Sequence, residues 1–570
     1  MYLKKTRQKS GRTYLSIVDG YFDKEKGHSR TVTIEKVGYL DEMEKLYDDP
    51  IQHFENRVEE LKAEKKDKSK PVSLSFDLEE RLTLGQCSRK NLGYAALNSV
   101  YHQLGLHSFL SNKQRQSRVD YNMNDVLKLL VFSRLLYPGS KKQTYENRGK
   151  FFEKHDYSLD DVYRFLKPLN DFKNDIQVRM NKQIKSKLGR NTELVYYDVT
   201  NYYFESDVTD EFRKKGISKE KRPNPIVQLG LFMDQKGIPI TFDLFPGNTN
   251  DCLTLRPGLS KIQKEYGLGK VVVVADKGLT TGDNIHYTLS GKHGYVFSMS
   301  VRGATKELKN YVLDEEGYTW YGSEYKRKSR LYPRTIQVTS RNGKKIKKVV
   351  DEKQVIFYSE KYAKKAKADR AKILEKALDI VNNPSKFSKA TSFGAAGYIK
   401  NLNFDKESGE ILSATQSLQI DTEKLKAEEA LDGYYVIITS EYKETDDQII
   451  DIYRGLWRIE ESFRVTKSDL EARPVYVSKK EHIHAHFLTC FIALVIVRII
   501  EVNLNYKYSV SKILNSLSKA ECSHMNQNFY VFNYYDDVLK DIGDIYNIDY
   551  SKKNRSIGEM KKILAATKKG

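Results

Sequence analysis

Asp451–Leu470, DIYRGLWRIEESFRVTKSDL, is the stretch around which the rest of the chain is organised. At 100° per residue, a helix sets Tyr453, Glu460 and Lys467 on one line that drifts by about 40°, with Trp457 and Arg464 close to it. A second stripe, Ile452, Leu456, Ile459, Phe463 and Leu470, has the spacing of a core-facing helix and lies about 100° round from the first. The pattern predicts one helix that packs on one side and carries a carboxylate, an ammonium, a phenol and an indole along the rim of a cleft. A surface helix with scattered charges looks the same when taken alone. The two readings part only if other carboxylates of the chain have reason to come here.

Upstream, the texture from Asn191 onward is that of strands. NTELVYYDVTNYYF carries β-branched and aromatic residues around Asp198, and IVQLGLFMD and IPITFDLFPGNTND follow, split by the turn QKG. LTLRPGLSKIQKEYGLGK reads as a helix, VVVVADKGL as a strand ending at Asp276, TTGDNIHYTLSG as a helix and YVFSMS as a strand. Val271–Val274 shows no alternation, as expected of a central strand covered on both faces. The expected class is α/β, a mixed five-stranded sheet with flanking helices. Asp198 and Asp276 are 78 residues apart (276 − 198), and Glu460 lies 184 further on (460 − 276). Either aspartate alone could simply serve a turn or a helix N-cap. Three carboxylates brought together would repel and resist ionising unless a cation sat between them, so the set reads as a hard-metal site with oxygen ligands. Two Mg²⁺ ions about 3.5–4 Å apart could activate a water or a 3′-hydroxyl and stabilise the leaving oxygen of a phosphodiester.

The order YYDVTNYYFES, then VVVVADKGLTTGDNI, then YRGLWRIEESFRVTK resembles the DDE transposases of bacterial insertion sequences. The likeness is to the branch with a Tyr-Arg-Glu-Lys signature and a β-rich insertion in the core, and it spans about Asn191 to Ile500. The resemblance implies an RNase H-like core, with Asp198, Asp276 and Glu460 as the catalytic, metal-holding residues. It implies two Mg²⁺ ions, with Mn²⁺ expected to substitute. The implied partner is double-stranded DNA, as terminal inverted repeats and as target, held by a homodimer in a synaptic complex. The signature Tyr falls on Tyr453, its Glu on Glu460 and its Lys on Lys467, while Leu456 fills the Arg position. Arg454, Arg458 or Arg464 would then supply the missing contact, and Arg464 lies best on the polar stripe. Tyr453 and Lys467 are expected to hold the scissile or terminal phosphate. Trp457 is placed to stack on a displaced base, or equally to be an ordinary half-buried indole. Glu461 competes with Glu460 but points about 100° away, off the side of Lys467. Asn248 and Asp251, in GNTND, are expected to shape a turn.

The expected activity is hydrolysis at the element's ends followed by joining of the freed 3′-OH to target DNA. Two alternatives stand beside it: a metal-dependent nuclease on the same core that does not join strands, and a non-catalytic DNA-binding derivative. The latter would need a broken acidic set.

Composition agrees with a polyanionic partner. The 570 residues carry 97 Lys+Arg against 76 Asp+Glu, a formal charge of +21. Residues 301–400 alone hold 24 Lys/Arg and 11 Asp/Glu, hence +13 of that total, which suggests a phosphate-backbone surface on an inserted lobe. The length implies several domains, or one core with large additions. We divide the chain into a basic β-rich region with linker (1–90), a helical, DNA-end-binding region (91–190) and the first part of the core (191–300). A basic β-rich insertion (301–440), the second part of the core (441–505) and a helical C-terminal region (506–570) follow. The cysteines, Cys87, Cys252, Cys490 and Cys522, form no CxxC pair and suit a reducing cytosol. MYLKKTRQKSGRTYLS lacks an apolar signal core, and Phe487–Ile500 is too short to span a bilayer and reads as a buried helix, so a cytoplasmic, nucleoid-associated protein is expected. His482, His484 and His486 lack an acidic partner at metal-ligand spacing and are read as structural or phosphate-facing.

Overall fold

The computed structural model describes the chain apart from residues 24–27, 68–78, 80, 82–87, 154, 217, 221, 267–268, 383–394, 396, 405–410, 526–527 and 570. It divides into two compact units, Met1–Leu82 and Thr83–Gly570. In the first, β1 (Tyr2–Arg7), β2 (Thr13–Asp23) and β3 (His28–Tyr39) form an antiparallel sheet, followed by the helix Pro50–Asp67. Leu15, Ile17 and Val18 of β2 are buried, as are Phe54 and Val58 of the helix. Most of the segment expected to be a linker, beyond Asp67, lies outside the described residues.

The second unit opens with β4 (Arg89–Asn91) and a helical array. The predicted stop at Pro138 and the capping box at Ser158 both occur: one helix runs Met123–Leu136, and another, Leu159–Asp171, has Ser158 and Asp161 capping each other. This array is not separate from the core. Its apolar faces enclose the helix Lys480–Asn503, and both belong to one hydrophobic cluster. That helix is long and apolar enough to cross a membrane, but it is almost wholly buried.

A nine-stranded sheet, ordered β10-β11-β12-β15-β9-β8-β5-β6-β7, organises the rest. The chain-order strands are β5 (Leu194–Tyr203), β6 (Ile226–Asp234), β7 (Pro239–Pro246), β8 (Val272–Ala275), β9 (Gly294–Met299), β10 (Thr319–Tyr321), β11 (Tyr325–Thr339) and β12 (Lys345–Tyr358); the two-stranded β13 (Ile399–Phe404) and β14 (Ile411–Ile420) precede β15 (Tyr434–Thr439). β5, β6 and β7 form the expected antiparallel meander, with Gly237 at φ +80° in the QKG turn, and β8 and β9 add in parallel to β5. β5 is buried on both faces by alternation. Val195, Tyr197 and Val199 join Val273, Tyr295 and Phe297 on the face under the helices Leu255–Tyr266 and Gly282–Ser290, while on the other face Tyr196 meets Ile452 and Gly455 and Tyr202 meets Phe487 of the helix Lys480–Asn503.

Three expectations need correction. The sheet does not stop at the five expected strands, because β12 pairs with β15 and β15 with β9, so the long hairpin of the insertion continues it to nine. Gly282 locks this arrangement: a Cβ there would lie 2.1 Å from the carbonyl oxygen of Gln337 in β11. The C-terminal region is not purely helical, since β16 (Glu521–Met525), β17 (Phe529–Phe532) and β18 (Asn554–Ser556) form a sheet with β4. And Asp451–Leu470 is not one helix. Helices Asp446–Arg454 and Trp457–Arg464 meet at Gly455–Leu456, and a π-helical turn follows over Val465–Asp469. The break falls where the chain rides closest on β5: Gly455 lies on Tyr196, whose hydroxyl leaves no room for a Cβ at that position.

Candidate active site

Asp198 and Asp276 are brought together by strand register. β5 and β8 run parallel with Tyr196 opposite Val274, so two residues further along Asp198 stands level with Asp276 at the end of β8. Adjacent strands are about 4.8 Å apart, and residues two apart share a face. The face is that of Tyr196 and Val274, on which the helix Trp457–Arg464 packs against β5 and carries Glu460. Glu460 is exposed and makes no hydrogen bond or ion pair among the described residues. Its neighbour Glu461 is tied down by Arg498, whose Nη1 lies 3.1 Å from its Oε2, and that guanidinium also binds Glu501 and Ser462. Packing thus distinguishes the two glutamates: Glu461 anchors the helix, and Glu460 stands without a hydrogen bond or ion pair among the described residues.

Each aspartate is held by one oxygen. The Val199 N–H donates to Asp198 Oδ1 at 2.7 Å. Ser298 Oγ donates to Asp276 Oδ1 at 2.8 Å, and the Tyr453 hydroxyl donates to the same oxygen at 3.2 Å. Burial pushes the Asp198 carboxyl up to about 6, helped by the negative charges of Asp276 and Glu460 and opposed by Lys219 and the Val199 N–H. The three predicted acids therefore share one electrostatic neighbourhood. They do not close into a cage: among the described residues no three His, Cys, Asp or Glu side chains are grouped tightly enough to hold a metal ion. In chemistry the set still suits a hard divalent cation, with three carboxylates that keep an oxygen free and no cysteine or histidine among them.

The predicted phosphate-binding residues fare unevenly. Tyr453 orients Asp276, and burial raises its phenol further from ionisation. Lys467 donates to Glu220 Oε1 at 3.2 Å, and burial, aided by the charge of Lys219, brings its ammonium down to about 8. Trp457 is 52% exposed beside the site, with the Arg458 guanidinium 5.3 Å from its ring centroid. Arg464 is committed along its own helix to Glu461 at 3.8 Å and Asp469 at 3.3 Å, and Arg454 lies over Tyr325, so neither stands free as the missing signature Arg. Asp251 begins a short 3₁₀ turn as expected, yet it also lines a cleft of about 410 Å³ with Asn248, Thr200, Gln228 and Lys219. His486 is structural: it is buried, with Nε2 3.0 Å from the Ala472 carbonyl oxygen and Nδ1 3.3 Å from Lys141. Sequence reasoning missed Ser298, Lys219, Glu220 and Arg473. Ser298 alternates into place on β9 and could have been found from strand register, but nothing in SKEKRPNP or DLEARPV singles out the other three.

Comparison with known proteins fits this architecture. A model described as the transposase DDE domain matches residues 190–496, and the chain belongs to that family, whose members are metal-dependent enzymes that cut and join DNA strands. A second model, the IS1634 family transposase N-terminal domain, matches residues 3–72, which makes the chain a DDE transposase of a bacterial insertion sequence. A search of curated proteins finds no match. Among solved structures, the piggyBac transposase synaptic complex with hairpin DNA is similar at 9% identity over 75% of this chain and 79% of that one, with a TM-score of 0.34. The Mos1 transposase paired-end complex is similar at 15% identity over 30% of this chain and 57% of that one, with a TM-score of 0.13.

Proposed function

We propose that the strands β5–β9 form an RNase H-like core and that Asp198, Asp276 and Glu460 are its catalytic acids, cutting the ends of the element and joining them to target DNA. The observation that supports this reading is the parallel register of β5 and β8, Tyr196 opposite Val274, which two residues further on brings Asp198 level with Asp276, near a glutamate that makes no hydrogen bond or ion pair among the described residues. In the first step a water oxygen bonds to phosphorus at the element's end as the bond to the 3′ oxygen breaks, and that oxygen leaves as a 3′-OH. In the second, this 3′ oxygen bonds to a target phosphorus while the target's own 3′ oxygen departs. Bound divalent cations, Mg²⁺ with Mn²⁺ as substitute, would supply charge neutralisation at the entering and leaving oxygens. The chain's own part is positioning. Ser298 and Tyr453 fix one oxygen of Asp276, the Val199 N–H fixes one of Asp198, and Lys467 offers an ammonium to the phosphate. Trp457 offers an exposed ring to an unstacked base. The inverted repeats would be gripped by the first unit and the cationic hairpin, in a homodimer, within the bacterial cytoplasm.

The test is divalent-metal-dependent cleavage of DNA carrying the inverted repeats, comparing the parent with Asp198→Ala, Asp276→Ala and Glu460→Gln. Loss of cleavage with DNA binding retained is expected, and any variant that still cuts removes its residue from the site. Pre-cleaved ends separate the rival reading: joined products mark a transposase, cutting without joining a nuclease.

A further inference from the structure

Building on that reading, we propose that Lys467 and Arg473 form a seat for a DNA phosphate, and that the carboxylate of Glu220 fills this seat in the DNA-free protein and competes for it. Glu220 lies in the connection between β5 and β6. Its Oε1 accepts from Lys467 at 3.2 Å, and its Oε2 is ion-paired with Arg473 Nη1. The side chains of Lys467 and Arg473 are only 12% and 25% exposed, so neither cation is fully hydrated. Two part-buried cations converging on two oxygens of one anionic group match a phosphate as well as a carboxylate.

The adjacent residue repeats the theme with opposite sign. The Lys219 ammonium donates to the carbonyl oxygen of Val199, next to Asp198, and its charge offsets Asp198 and Asp251. Two consecutive residues of one connection thus place a cation beside an acid of the site and an anion on the cations that face a substrate. The seat is braced from behind, where the guanidinia of Arg222 and Arg473 lie 4.2 and 5.7 Å from the centroid of the Tyr203 ring. A phosphate and Glu220 cannot occupy the same two cations at once. DNA binding therefore requires the carboxylate to leave, and Arg473 becomes a phosphate-binding residue that the signature motif does not contain.

The test uses the full chain and a duplex bearing the terminal inverted repeat, with binding followed by fluorescence anisotropy in EDTA so that cleavage plays no part. Glu220→Gln is expected to bind the duplex about three- to tenfold more tightly than the parent, and Arg473→Ala about tenfold more weakly, with a salt slope lower by about one. In an Arg473→Ala background, Glu220→Gln should lose most of its gain, because the two act through one seat. A Glu220→Gln protein that stays folded by thermal melting, yet binds no tighter, overturns the proposal and leaves the ion pair as a mere tether for the connection. Should that variant fail to fold, Arg473 decides: Arg473→Lys must recover most of the affinity that Arg473→Ala loses, and an Arg473→Ala protein that binds like the parent overturns the proposal. Binding that ignores both residues defeats this inference alone, whereas a parent that binds no duplex defeats the transposase reading as well.

Discussion

The nine-stranded sheet is one hydrogen-bond ladder, yet its inner strands and its outer hairpin treat water in opposite ways. The half β9-β8-β5-β6-β7 is covered on both faces, and β6 is buried along its whole length. In the half β15-β12-β11-β10, most of β15 and the end of β12 beside it are still buried, but the hairpin is covered on one side only: along β11 Leu331, Pro333, Thr335 and Gln337 are exposed while Ile336 and Val338 turn inward. Its tip, RNGKKIKK, carries Arg341, Lys344 and Lys347 exposed and without ion pairs among the described residues. The difference teaches where precision is kept. Carboxylates proposed to be catalytic need fixed positions, and Asp198 and Asp276 stand on or at the end of strands of the buried half, where close packing holds the backbone. Long-range attraction for a polyanion needs only charge and reach, which the projecting half supplies.

The largest effect expected from breaking this division is in the buried half. Asp198→Ala or Asp276→Ala should lower end cleavage by about a thousandfold or more, since groups acting as a unit fail together, while duplex binding in an electrophoretic shift assay stays close to the parent. In the projecting half the pattern should invert. Replacing Arg341, Lys344 and Lys347 together with Ala should weaken duplex binding about tenfold at moderate salt and flatten its salt dependence, with the melting temperature unchanged. Gly455→Ala sharpens the contrast by testing fit alone: the new methyl meets the Tyr196 hydroxyl, which donates to the Ile452 carbonyl oxygen at 3.2 Å. It should cost about 1–3 kcal/mol in chemical denaturation and displace Glu460 enough to slow cleavage. The narrowest effect, confined to alkaline pH, concerns Lys141, fully buried against His486 and lowered to about 7 by burial. The unfolded chain binds this proton up to about pH 10.4, so it holds more protons than the fold between about pH 7 and 10, and stability should rise with pH across that window by at most about 1.4 kcal/mol per unit. Lys141→Met should remove this rise in melts recorded from pH 7 to 10.

How far the sequence can be read follows the same division. The strands β5 to β9 announce themselves through β-branched and aromatic runs, and the QKG turn and the end of β8 just before Asp276 lie where pattern and spacing put them, whereas β5 runs on through Asp198 to Tyr203 instead of ending there. Local pattern cannot report what depends on a distant partner. Periodicity drew one helix through Asp451–Leu470, because nothing local shows that Tyr196 lies beneath Gly455. Charge density marked residues 301–400 as basic, but not that β12 would pair with β15, a contact fixed between segments some eighty residues apart. Glu460 and Glu461 are separable by helical angle, but that Arg498 on the helix Lys480–Asn503 is ion-paired with Glu461 is visible only in the fold. Glu220 and Arg473 carry no motif, and their pairing is a purely tertiary fact.

The chain departs from the sheet after Met299 and returns on β15, where Val436 pairs with Met299 itself. Departure and return thus lie one strand spacing apart, as at the neck of a loop that could be lengthened without disturbing the neck. Deleting the whole excursion is another matter, since it would strip β12 from β15 and bare a row of backbone donors and acceptors ready to pair with another molecule. Natural variation in length among related elements should therefore gather at the outer turn near Asn342 and spare the strands that border β15.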